Sequence, residues 1–270
     1  MHLGTWLALP VCGLAAAGWL CAADNQLSSK EQKAGWILLF DGKTFANWED
    51  PTQKSPPGTS FTIQNGCLKA TAHPKIEEDL FTSAEWGNFD LQFDWRISSR
   101  GNSGVKYRIQ KRVWLTGQDA PRFEDRVNAA LAAPPTARPA EGQEYVIGFE
   151  YQITDDASNP DALSNGPAHW TAALYDVLAP VRAVPQPIGR FNHAEIIVEG
   201  GHTEHWLNGR QVLDIRLDDP QIASSMSKRW GEDTPVYDLL VKQPRARCPI
   251  SLQNHGDEAW FKNIKIRPLR

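Results

Sequence analysis

Between residues 89 and 97 the chain reads FDLQFDWRI. Phe89, Leu91, Phe93, Trp95 and Ile97 fall on one side, and Asp90, Gln92, Asp94 and Arg96 on the other. Side chains alternate across a β-strand, so such a segment has one face to bury and one to leave polar. The pattern recurs. In SGVKYRIQ, Val105, Tyr107 and Ile109 oppose Lys106, Arg108 and Gln110; in GFEYQITDD, Phe149, Tyr151 and Ile153 oppose Glu150, Gln152 and Thr154. Turn residues separate the segments. Asn65-Gly66 predicts a hairpin within SFTIQNGCLKA, and Gly200-Gly201 and Asn208-Gly209 divide HAEIIVEGGHTEHWLNGRQVLDIRL into a three-strand meander. GWILLF precedes the turn DGKT, and CPISLQNHGDEAWFKNIKIRPL supplies two closing strands. The best helical stretch, 123–133, lies in an apparent Pro- and Ala-rich insertion at about 111–144, which reads as a mobile loop or lid. Residues 218–246 read as irregular. Many short strands with few helices predict an all-β jelly-roll sandwich of two antiparallel sheets, in one domain over 24–270.

The polar face of GFEYQITDD is the first candidate for chemistry. Glu150 and Gln152 oppose the core face and would line a groove if their sheet is concave outward; a solvated strand face is the alternative. Asp155 and Asp156 end the strand as a base or ligand, or as a turn cap. Arg108 could polarise a carbonyl, or pair with an acid across strands. Gln253 and His255 share a face, and histidine suits acid, base or ligand roles near neutrality. Ser103, Tyr175, His205 and Trp206 are further substrate-binding candidates, with core packing the rival role for the last three; His169 and His193 rank lower.

The first residues, MHLGTWLALPVCGLAAAGWLCAADNQ, read as a signal peptide over 1–23, cleaved after Ala23, with a membrane anchor as the rival. An exported protein, periplasmic or extracellular and free of the membrane after cleavage, is expected. A net charge of −4 with interspersed signs gives no reason to expect nucleic acid as a partner. Cys67 and Cys248 remain beyond the leader as a candidate disulfide, without spacing for a cysteine metal cluster. Eleven tryptophans suit large cores or sugar-stacking surfaces.

GWILLFDGKTFANWE, GNFDLQFDWRIS, GNSGVKYRIQ, FEYQITDD, TAALYDVLAP, GRFNHAEIIVEGGHTEHWLNG and LQNHGDEAWFKNIKIRPL occur in that order. Together they resemble the 3-keto-disaccharide hydrolase family, over about Gly35 to Leu269. The resemblance implies a concanavalin- or laminarinase-like jelly roll, export, and glycosides already oxidised to a ketone at C3, made by a separate upstream sugar 3-dehydrogenase. Asn254 departs from the usual aspartate, and Lys262 stands where arginine is common. If apolar Ile250 and Leu252 face the core, Ser251, Gln253 and His255 face the groove and Asn254 the core side.

A C3 ketone acidifies the hydrogen on C2. A base can remove it, the enolate can expel the C1 substituent, and water can then add for net hydrolysis. Such a site needs a base, a cation or hydrogen-bond donor at the enolate oxygen, and an acid for the leaving oxygen. A divalent metal could hold the ketone, with Glu150, Asp155 and His255 as candidate ligands. The other readings are a non-catalytic carbohydrate-binding module on the same fold and a two-carboxylate glycosidase. Convergence of Glu150, Arg108, Gln253 and His255 would favour the enzyme.

Overall fold

The computed structural model describes residues 24–50, 58–115, 122–134 and 137–270; the expected signal peptide lies outside them. Fourteen strands are described: β1 (Ile37–Leu38), β2 (Trp48–Glu49), β3 (Phe61–Gln64), β4 (Cys67–Ala70), β5 (Ile76–Glu77), β6 (Leu80–Thr82) and β7 (Phe89–Ile97), then β8 (Asn102–Leu115), β9 (Gly142–Thr154), β10 (Asn192–Glu199), β11 (His202–Leu207), β12 (Arg210–Arg216), β13 (Ser251–Leu252) and β14 (Ala259–Pro268). They form the two-sheet β-sandwich that the alternation implied. One sheet runs β12-β11-β10-β7-β14-β4-β3, with β1 also on β14; the other runs β2-β6-β13-β8-β9-β5. All pairings are antiparallel except the short β5–β9 contact.

Three of the turns expected from sequence are where the sheets need them. Asn65 and Gly66 (φ 51° and 72°) close β3–β4, and Asn208 and Gly209 (φ 51° and 78°) close β11–β12. These left-handed pairs match the twist of the strands they join, which is why Asn-Gly is favoured there. Gly200-Gly201 joins β10 to β11.

The core lies between the sheets. Phe89, Leu91, Phe93 and Trp95 from β7 meet Val105 and Tyr107 from β8 and Phe149, Tyr151 and Ile153 from β9. Phe93 packs edge-on against Tyr151 with ring centroids 5.9 Å apart. Burying each such side chain contributes about 1.5–3 kcal/mol. His205 belongs to this core rather than to a sugar site. It is fully buried, its Nε2 lies 2.9 Å from the Tyr107 hydroxyl and its Nδ1 lies 3.0 Å from the Ala172 carbonyl. Burial drives its pKa down to about 4 and so keeps it neutral. Its face is settled by Thr203 and Leu207, which are buried beside it on β11.

Cys67 and Cys248 are both free and buried, so the candidate disulfide does not form. Cys67 opens β4 in the first sheet, whereas Cys248 packs with Phe81, Ile109 and Val146 against the second.

The insertion is more ordered than its composition suggested. After a short first helix, α1 (Ser29–Lys33), near the start of the described chain, the next is α2 (Phe123–Ala132), which lies between residues 111–115 and 142–144, the extensions of β8 and β9, and buries Val127; the remainder of the insertion includes 116–121 and 135–136, outside the described residues. The stretch read as irregular also carries a helix, α4 (Pro220–Trp230), capped by the Asp219 side chain and buried along Ile222, Met226 and Trp230. That i, i+4, i+8 stripe packs one helical face onto the sandwich. No helix among the described residues is long and apolar enough to cross a membrane.

Candidate active site

The outer face of the six-stranded sheet carries a cavity of about 620 Å³. Its floor follows from register. Lys106 on β8 lies directly across from Glu150 on β9, and Ser251 on β13 flanks Lys106 from the other side. A cation and a carboxylate are thus set side by side on the one face that alternation turns away from the core. Gly104, two residues before Lys106, makes room for the acid. A Cβ there would stand 2.0 Å from Glu150 Oε1, so only glycine lets the carboxylate lie across β8.

Gln253, just past β13, joins the pair. With its amide nitrogen toward Glu150 and its oxygen toward Lys106, it donates to Glu150 Oε1 at 3.3 Å and accepts from Lys106 Nζ at 3.1 Å. Lys106 is 2% exposed, and its ammonium also lies 3.3 Å from Asp79 Oδ2, which accepts from the Ser251 hydroxyl at 2.8 Å. Burial alone would favour neutral Lys106, but the charges of Asp79 and Glu150 outweigh it and raise its pKa. Glu150 is pushed up by burial, with Lys106 pulling the other way. The outcome is a carboxylate more basic than an ordinary glutamate beside a firmly protonated lysine.

The opposite wall comes from two helices and the short turns that follow the first of them. Asn159 caps α3 (Pro160–Asn165) by accepting from the Asp161 and Ala162 amides, and so places Asp161. His169 is clamped between Asp161 Oδ2 at 2.9 Å and Asp176 Oδ1 at 3.0 Å. Arg229, near the end of α4, reaches Asp176 Oδ2 at 2.9 Å, and its guanidinium stacks on Trp230 (4.7 Å) and Tyr175 (5.4 Å). The Tyr175 hydroxyl donates to Asp161 Oδ2 at 3.2 Å. Burial opposes protonation of His169, but the two carboxylates override it and lift its pKa to about 9. The wall therefore presents two cations, Arg229 and His169, held by two acids.

The sign of the His169 effect gives a test. Its folded pKa of about 9 exceeds the ordinary histidine value of 6.5, so its stabilisation is full below about pH 6.5 and lost as pH rises through about 9. The melting-temperature advantage of the natural protein over His169→Gln should be largest near pH 6 and shrink through pH 9. A gap independent of pH would show that the imidazole is not held charged.

The sequence candidates divide. Glu150, Gln253, Tyr175 and His255 all line the cavity, His255 exposed at its mouth. Gln152 lies just behind, its amide donating to Asn102 Oδ1 at 3.2 Å, and Asn102 lines the cavity. Arg108 is not there. Between Tyr107 and Lys111 a bulge shifts the β8–β9 register, and Arg108 adopts φ 52° and points elsewhere, so the cations lining this site are Lys106, His169 and Arg229. Asp155 is a turn residue, as its alternative reading had it: its carboxylate accepts from the Arg100 and Ala157 amides at 2.8 and 3.3 Å, outside the cavity lining. Ser103 faces the interior and supports the site only through its hydroxyl, which donates to the Gln253 carbonyl at 2.8 Å. Trp206 lies on the other sheet, its indole donating to Glu204 at 2.7 Å. Asn254 is buried and braces the Gln253–His255 loop, donating to the carbonyls of Ser60 (2.7 Å) and Thr71 (3.1 Å) and accepting from the Gly256 amide (2.8 Å). An ionised aspartate could make the last of these bonds but neither of the first two.

Lys106, Asp161, Asp176 and Arg229 received no role from the sequence, and His169 only a low rank. Lys106 shared the polar face already marked for Arg108. Asp219-Pro220 and Gly231 bracket α4, and Asn159-Pro160 opens α3; both are helix-start signals that would have located two of the wall elements.

The fold and the groove define a β-sandwich with a polar, charge-lined site on the outer face of one sheet. Residues 35–267 match the 3-keto-alpha-glucoside-1,2-lyase-like domain, and the chain belongs to that family. It is 30% identical over 247 residues to a 3-keto-disaccharide hydrolase of Bacteroides thetaiotaomicron, covering 87% of this chain and 79% of that protein. A crystal structure from Parabacteroides distasonis, of a protein provisionally classed as a glycosyl hydrolase, superposes with a TM-score of 0.69 at 24% identity, over 92% of this chain and all of the other. A second from the same organism, classed alike, gives 0.57 at 23%, over 87% and 99%. The chain is a hydrolase-type, glycoside-acting enzyme.

Proposed function

We propose that the enzyme cleaves 3-keto-glycosides by removing the C2 proton and eliminating the C1 substituent, with water addition completing net hydrolysis. The observation that carries this is Glu150 opposite Lys106, inside a cavity whose other wall sets Arg229 and His169 against Asp161 and Asp176. Glu150 is the base. It takes the C2 hydrogen as a proton, and the C–H electron pair becomes the C2–C3 double bond while the ketone oxygen becomes the enolate. Lys106 and Arg229 are the cations available to that oxygen, the role first given to Arg108. Re-forming the C3 carbonyl shifts the double bond to C1–C2 and expels the C1 oxygen, which takes a proton from His255 at the cavity mouth. Addition of water across C1–C2 then returns the 3-keto sugar. Gln253 and Tyr175 orient sugar hydroxyls, with Gln152 holding Asn102 behind them.

Of the side chains first considered as metal ligands, Glu150 and His255 line the cavity and Asp155 does not, so the three do not converge. The first two could hold a divalent cation on the ketone, and no step above is routed through one. In this reading the upstream partner is a sugar 3-dehydrogenase supplying the ketone, and the apolar run over residues 3–20 supports export.

The test is incubation of the purified protein with an aryl 3-keto-glucoside and with the unoxidised aryl glucoside, each with and without a chelator. Release of the phenol from the keto sugar alone is the expected result. Equal release from the unoxidised glucoside would replace this mechanism with ordinary glycosidase chemistry, and loss on chelation would assign the metal a part.

A further inference from the structure

A second cavity, of about 310 Å³, shares no lining residue with the sugar groove. Arg108 reaches it because of the β8 bulge. Three residues, 108–110, stand where β9 offers Gly148 alone, and the extra length rotates Arg108 out of the groove face. A positive φ is uncommon for a side chain of this size and holds only where its surroundings enforce it.

Arg108 is 8% exposed, and among the described residues its bonds run only to backbone carbonyls: Nη1 to Ala246, and Nη2 to Gly200 at 2.6 Å. Carbonyls accept its protons but do not neutralise its charge, and buried charges are ordinarily paired. Burial lowers its pKa, and no acid is among the groups that pull it back. The other charges on the wall are engaged. Asp218 is held by Arg216 at 2.9 and 2.7 Å, and Arg245 pairs with Glu85 at 2.9 Å. Phe149, Leu217, Leu240 and Val241 make the rest of the lining largely apolar. A guanidinium carries five donors, and the two carbonyls leave several for a ligand.

We infer that this cavity is a second binding site, for a compact carboxylate with an apolar body. The carboxylate would supply the missing counter-charge to Arg108, and the body would cover the apolar wall. A sugar fits poorly, since few wall groups could satisfy its hydroxyls.

The experiment is calorimetric titration of the purified protein with benzoate, with benzyl alcohol as its neutral counterpart. Saturable one-site binding of benzoate, at least about tenfold tighter than benzyl alcohol, is expected. Val241→Trp, at a partly exposed position on the wall, should abolish it with the melting temperature retained; Arg108→Gln should abolish it if that variant folds. Turnover of the 3-keto-glucoside should not be inhibited competitively by benzoate. No saturation by about 10 mM benzoate, equal binding of the alcohol, or binding that survives Val241→Trp would each overturn the assignment.

Discussion

Glu150→Gln will lower kcat on a 3-keto-glucoside by about 10²–10⁴-fold, the range that a positioned general base supplies. This corresponds to roughly 3–5.5 kcal/mol of transition-state stabilisation. The amide keeps the shape of the side chain, and Lys106 keeps Asp79 as a partner at 3.3 Å, so KM and the fold should change little. Burial holds the Glu150 carboxyl above its ordinary value, so the acidic limb of kcat/KM should lie above the pKa of a free glutamate and vanish from the residual activity of the variant. Gly104→Ala offers an independent route to the same end. It removes no functional group, but its methyl would occupy the position of Glu150 Oε1, and activity should fall with the carboxylate displaced. Full activity in either variant would remove Glu150 from the mechanism.

Lys106→Met will lose both stability and activity. The lysine is 2% exposed and stands between Asp79 and Glu150. Removing it leaves buried Asp79 and half-buried Glu150 without their cation, and breaking a buried ion pair from one side typically costs about 3–5 kcal/mol. For a chain of this size that lowers Tm by on the order of 10 °C. Most of this cost is the stranded charge rather than a lost contact, so adding Asp79→Asn should restore part of the Tm without restoring turnover. Thermal unfolding of the single and double variants, with their kcat values, checks both. A single variant with natural stability would show that Lys106 does not compensate the acids.

The two variants probe the part of the site that alternation exposed and the part that it missed. Polar residues between apolar ones put Glu150, Gln152 and Lys106 on the non-core face whatever the neighbours are. The choice between Lys106 and Arg108 was not legible, since both have the same parity. The bulge after Tyr107 separates them, and a bulge depends on how β8 and β9 are clamped. Asp155 shows the same limit: an acid at a strand end is ligand or cap according to which amides approach it, and here Arg100 and Ala157 do. The Asp161–His169–Asp176–Arg229 wall comes from α3, a 3-10 turn ending at His169, a turn position beyond it and α4, whose nearness no local pattern encodes.

By itself the sequence determined the two-sheet sandwich, the Asn-Gly hairpins, the buried and polar faces of the long strands, and the family. These follow from period-two burial and turn chemistry, which act between near neighbours. The tertiary structure alone decided which cation faces Glu150, that His205 is a neutral core residue, that Cys67 and Cys248 remain apart, and that Arg108 looks into a different cavity. Each depends on burial and charge summed over segments far apart in the chain, and those quantities exist only once the chain has folded.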